Sequence, residues 1–68
     1  MPSEKADYSA MTVNERLSVA GLHDQYDAAA ESRNRETMIR ILTQVDIPPE
    51  QAAWIADTVL ADPGRYGY

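Results

Sequence analysis

This sequence predicts an all-α fold, a small three-helix bundle with a flexible N-terminal arm and an aromatic C-terminal tail. Three observations carry that expectation. Apolar residues recur at helical spacing in three segments, each segment opens on a recognisable start signal, and β-branched residues are scattered rather than alternating, so no strand competes. The helices fall at about 13–32, 35–45 and 49–62, within one bundle spanning residues 12–62, with the arm at 1–11 and the tail at 63–68.

The first helix announces itself with Thr12-Val13-Asn14-Glu15. This is a capping box: the Thr12 hydroxyl accepts the Glu15 N–H while the Glu15 carboxylate reaches back to the Thr12 N–H. Ala28-Ala29-Ala30 sustains the helix to about Ser32, and Gly21 inside it costs about 1 kcal/mol relative to Ala. Read as one continuous helix, the segment is apolar on two sides. Val13, Leu17, Ala20 and Ala28 form one stripe beside Gly21, while Val19, Leu22, Tyr26, Ala29 and Ala30 form another across the axis. A helix on the outside of a monomer needs only one stripe, so two suggest that it touches both other helices, or one helix and a second subunit, and pairing with its mate in a homodimer is the expectation.

Asn34 is the expected cap of the second helix. Met38, Ile41, Leu42 and Val45, flanked by Ile39, make a single core stripe opposite Glu36, Arg40 and Thr43. Pro48 disfavours helical geometry at Ile47, which becomes an apolar plug in the turn, and Pro49 suits the first position of the third helix. Glu50 complements that helix's positive end, and Asp62-Pro63-Gly64 stops it. Short connections make consecutive helices close neighbours, which completes the bundle.

The third helix carries the most informative oddity. At about 100° per residue, Ala52, Ile55, Ala56, Val59 and Leu60 gather on one arc and Trp54, the only tryptophan, projects opposite. Asp62 lies about 12 Å along the axis from Trp54, and six extended residues reach about 20 Å, so Arg65-Tyr66-Gly67-Tyr68 can fold back over the indole, with room at Thr58 and Ala61 and with Arg65 placed to stack on it. Either that tail or another protein covers Trp54.

Composition narrows the function. With 68 residues and 7.6 kDa the chain is one domain with a marginal core. No cysteine is present to supply disulfides or thiolate metal ligands, and a reducing cytoplasm suits such a chain. Residues 1–11 carry Glu4, Lys5 and Asp7 and resemble neither a signal peptide nor a membrane span, while their polarity, with Pro2, Ser3 and Ser9, predicts the arm and leaves Met11 as an alternative start. A net charge of −5, from 11 acidic against 6 basic side chains, argues against general affinity for nucleic acid or anionic membrane.

Sites for chemistry are sparse. His23 and Asp27 stand four apart with Glu31 one turn further, a partial metal site at most, because a stable transition-metal site wants three or four converging ligands. No metal or other cofactor is expected. Ser9, Ser18 and Ser32 have no evident base beside them, and a bundle this small has little room for a pocket of about 300 Å³, so no catalytic residue is expected. The second and third helices imitate a helix-turn-helix, yet the third has no Lys or Arg and carries Glu50, Asp57 and Asp62. A DNA-binding regulator would have to use Arg33, Arg35 and Arg40.

Asn14-Glu15-Arg16-Leu17 with Ala20-Gly21-Leu22, Arg35-Glu36 before Met38-Ile39, and Trp54-Ile55-Ala56-Asp57 with Arg65-Tyr66-Gly67-Tyr68 resemble short uncharacterised bacterial helical proteins. The resemblance covers residues 12–68 and implies no activity, ligand or site. The leading expectation is therefore a non-enzymatic protein-binding module, regulatory, inhibitory or antitoxin- or immunity-like, possessing a contact surface drawn from Val19, Leu22, Tyr26, Trp54, Arg65, Tyr66 and Tyr68. The small DNA-binding regulator is the alternative.

Overall fold

A computed structural model describes residues 8–68. Among them the chain is entirely helical, with α1 at Val13–Ala20, α2 at His23–Glu31, α3 at Arg35–Gln44, α4 at Pro49–Ala61, and a 3-10 turn at Pro63–Tyr66. None of these helices is long and apolar enough to cross a membrane. The expected arm lies mostly outside the described residues; at its end, Tyr8 packs against the core and accepts the Met11 N–H at its carbonyl.

The main departure from expectation is that the first helix is two. Thr12 and Glu15 form the anticipated capping box, at 2.9 and 3.2 Å. After the eight residues of α1, Gly21 takes φ 72°, the left-handed region, and the helix closes. The Gly21 N–H bonds the Ser18 carbonyl and the Leu22 N–H bonds the Leu17 carbonyl, the reciprocal pair of a Schellman cap. Glycine is the residue that enters this conformation without a Cβ penalty, so its contribution here is a stop rather than a weakness in a continuing helix.

That break dissolves the second stripe. Leu17 on α1 and Tyr26, Ala29 and Ala30 on α2 are all buried in one core, while Val19, Ala20 and Ala28 are exposed and Val13 and Leu22 are half-buried. Projecting a broken helix onto one axis had placed residues that face the same interior on opposite sides.

The two later connections repeat the device without glycine. Arg33 (φ 59°) and Asp46 (φ 67°) are left-handed, and each is followed by the same pair of backbone bonds. Arg33 and Asn34 bond the Ala30 and Ala29 carbonyls; Asp46 and Ile47 bond those of Thr43 and Leu42. Asn34 then caps α3, its side-chain oxygen accepting the Thr37 N–H at 3.2 Å. Ile47 is buried, as a plug in the turn should be.

α3 and α4 share the largest helix interface. Met38, Ile41, Leu42 and Val45 meet Ala52, Ala56 and Val59, all buried, with Ile39, Ile55 and Leu60 partly buried around them. Small residues at 52 and 56 let α4 approach closely, and α2 closes the remaining side through Tyr26, Ala29 and Ala30. α1 is tied in by Arg16, whose contact with the end of α3 has no local signature in the sequence. Its guanidinium donates to the Met11 carbonyl at 3.1 Å, to the Val45 carbonyl at 3.1 Å and to the Asp46 carbonyl at 3.3 Å. It thus satisfies carbonyls that the end of α3 leaves without helical partners.

Two substitutions test this architecture. Leu42→Ala removes a fully buried side chain from the α3 stripe and should cost about 2 to 5 kcal/mol, read from chemical denaturation; near-wild-type stability would place Leu42 outside the core. Gly21→Ala separates a broken from a continuous helix by sign. A Cβ at Gly21 meets nothing within 4 Å, so only the left-handed backbone matters, and the variant should lose about 1 to 2 kcal/mol; a continuous helix would instead gain about 1 kcal/mol.

Candidate functional site

Two surfaces flank α4, and the residues expected to contact a partner divide between them. Trp54 stands on the outer face, 67% exposed. Its neighbours one turn either way are Glu50, Gln51, Asp57 and Thr58, which helix geometry places around the indole, and the Thr58 hydroxyl donates to the Trp54 carbonyl at 2.7 Å. Asp57 is held toward α3 by a two-pronged contact from Arg35, at 2.6 and 3.3 Å. That hydrogen bond and the guanidinium charge keep the Asp57 carboxyl below its usual range. Trp54 thus sits on an exposed helix face with carboxylates close by.

The tail does not cover it. After α4 the chain leaves helical geometry at Asp62 (φ −147°, ψ 70°), makes the 3-10 turn, and reaches Gly67 at φ 89°. This carries Tyr68 to the α2 side, where its hydroxyl donates to Asp27 Oδ1 at 2.6 Å. Of the two expected covers for Trp54, the tail is therefore not the one: Trp54 stays exposed, and Tyr66 is 43% exposed beside Ile55 and Val59. The tail folds back, but onto α2.

The second surface is the groove this creates. It has a volume of about 330 Å³ and is lined by Thr12, Val13, Asn14, Tyr26, Ile55, Val59, Tyr66 and Tyr68. The expectation that so small a bundle has little room for such a space fails, because the start of α1 and the tail wall it in beside α2 and α4. Beside it Asp27 Oδ2 lies 3.1 Å from His23 Nδ1, so one carboxylate joins the imidazole and the Tyr68 phenol. Asp24, rather than Glu31, completes a group with ligand atoms within 4.8 Å of one another. Asp27 already engages both neighbours, and the group reads as a helical charge ladder extended by a phenol.

At the groove, Tyr26 and Tyr68 hold their protons more tightly than usual. For Tyr26, burial is the larger cause and the Asp27 charge the second. For Tyr68, burial leads again, followed by the hydrogen bond to Asp27 and the charges around it, and the phenol is raised well above its ordinary value.

Of the expected contact residues, Val19 (56% exposed) and Trp54 face outward with Tyr66 and Arg65, whereas Tyr26 is buried, Leu22 is half-buried against the core, and Tyr68 is tied to Asp27. The arginines considered for phosphate contact are partly committed. Arg33 donates to the Ala30 and Glu31 carbonyls, both at 3.1 Å, and Arg35 holds Asp57, while Arg40 is exposed. Asp27 was visible only as His23's helical neighbour. Its bond to a residue 41 positions away has no local signature.

The raised tyrosines fix the sign of an alkaline effect. Above about pH 10 an unfolded tyrosine releases its proton while Tyr68 and Tyr26 retain theirs, so the folded state binds more protons and stability falls as pH rises further. Melting temperatures should drop progressively from about pH 10 upward, and Tyr68→Phe should flatten part of that fall; an identical slope in the variant would contradict the assignment.

No protein-family model matches the chain, and neither does any curated protein or solved structure.

Proposed function

We propose that the chain is a non-enzymatic protein-binding module, of the regulatory, inhibitory, antitoxin-like or immunity-like kind, and that the outer face of α4 around Trp54 is its contact surface. One observation carries the reading: an indole 67% exposed, on a helix whose own tail turns away from it. An exposed Trp gains more from being covered than almost any other side chain, and Trp is among the residues that dominate interface energies. Nearby Glu50 and Asp57, within a chain of net charge −5, favour a partner with a basic rim. Val19, Arg65 and Tyr66 are exposed as well, but they extend the face only where the partner reaches them.

Self-association remains the simplest alternative occupant, although the helical stripe that first suggested a homodimer is accounted for within the core. A duplex-binding regulator has less support, because Arg33 and Arg35 are engaged inside the chain.

The test is the environment of Trp54 in the purified chain. Its emission should be that of a solvated indole in a 7.6 kDa monomer, and a photoreactive residue at position 54 should form a discrete protein adduct in cells that the same residue at exposed position 40 does not. A species of twice the mass, lost in Trp54→Ser, would identify the partner as a second copy. A buried-type emission from the monomer, or matching adducts at both positions, would remove the proposal.

A further inference from the structure

The segment after α4 is built as a unit of its own. Its backbone bonds close within it: Arg65 N–H to the Asp62 carbonyl at 3.2 Å, Gly67 N–H to the Gly64 carbonyl at 3.3 Å, and Tyr68 N–H to the Pro63 carbonyl at 2.9 Å. None of the four residues of the 3-10 turn is buried. Among the described residues, two hydrogen bonds join the segment to the rest of the fold. One is the Asp62 N–H to the Val59 carbonyl at 3.2 Å, where the chain departs from α4. The other is the Tyr68 hydroxyl to Asp27 at 2.6 Å.

We infer that residues 62–68 form a releasable strap, pivoting at Asp62 and fastened by Tyr68 on Asp27, that covers an apolar seam between α2 and α4 and opens while the four-helix core stays folded. What lies beneath it supports this. Tyr26, Ile55, Val59 and Val13 form the apolar part of the groove, and the strap's own Tyr66 and Tyr68 line it as well. The Tyr68 ring packs against the edge of the core without being buried in it.

The fastening point is prepared in advance. Asp27 sits on α2, and His23, one turn earlier on the same helix, contacts its other oxygen at 3.1 Å. The acceptor is therefore aimed whether or not the strap is down. A segment with little buried surface and one charge-assisted hydrogen bond belongs to the part of a fold that opens locally, well below the energy of global unfolding. The occupant of the seam is the chain's own Tyr68, so whether this apolar surface is presented depends on a single contact. The inference concerns the opposite flank of α4 from Trp54 and does not depend on the partner proposed for that residue.

Native-state hydrogen exchange on the whole chain tests it. Tyr68→Phe keeps the ring and deletes the fastening hydroxyl; Asp27→Asn keeps the strap intact and removes the charge. Each should speed exchange of the Asp62 amide, whose bond to the Val59 carbonyl holds the strap to α4, about tenfold or more for Tyr68→Phe, while the amides of Met38 and Leu42 keep their wild-type rates. Binding of an uncharged environment-sensitive dye should rise in the same variants as the seam opens. Unchanged exchange at Asp62 would overturn the inference, and so would parallel acceleration at Met38 and Leu42, which would make the segment part of the core's cooperative unit.

Discussion

A residue in the left-handed region, followed by two backbone hydrogen bonds that fold the chain back on the helix just completed, is the constraint on which this structure depends. It occurs at Gly21, Arg33 and Asp46, and again at Gly67 after the 3-10 turn. In each case the residue immediately after the turn is given a further task. Leu22 lies at the entrance of α2 and packs on the core, Asn34 caps α3, Ile47 plugs the base of α4, and Tyr68 fastens on Asp27. Helix ends and helix beginnings are therefore not separated by loops that could vary freely. A domain of this size has little core to spare, and short turns limit the chain entropy its burial must offset.

The left-handed conformation costs a residue with a Cβ about 1 to 2 kcal/mol, which glycine avoids at positions 21 and 67 and Arg33 and Asp46 do not. Local contacts help to hold the two strained turns. The Arg33 guanidinium reaches back to the Ala30 and Glu31 carbonyls, and Arg16 grips the Val45 and Asp46 carbonyls from α1. Strain at these joints and the buried stripe of α3 are coupled, since the same turns bring Ile47 and the end of α3 into place.

Much of this was legible in the sequence because its signals are local. The Thr12–Glu15 capping box, the Asn34 cap, the Met38-Ile41-Leu42-Val45 stripe, the Ile47 plug and the Pro49 start each follow from residues within one or two turns. Gly21 was the costly ambiguity. Glycine is tolerated within a helix and favoured just after one, and the apolar residues on either side gave a helical pattern under both readings. Choosing continuity created a second stripe and, with it, a reason to expect a homodimer. The groove and its fastening were hidden for a different reason: Thr12, Asp27, Val59 and Tyr68 come together through the turns, and no spacing in the chain records that meeting.

Arg16 shows what kind of tie the fold uses between its first and third helices. Its guanidinium binds main-chain carbonyls at Met11, Val45 and Asp46. Every residue type carries a carbonyl, so the side chains at those three positions are released from any duty to the clamp. Position 16 is bound to its residue by this contact, while at the positions it grips the clamp itself asks only for a main-chain carbonyl.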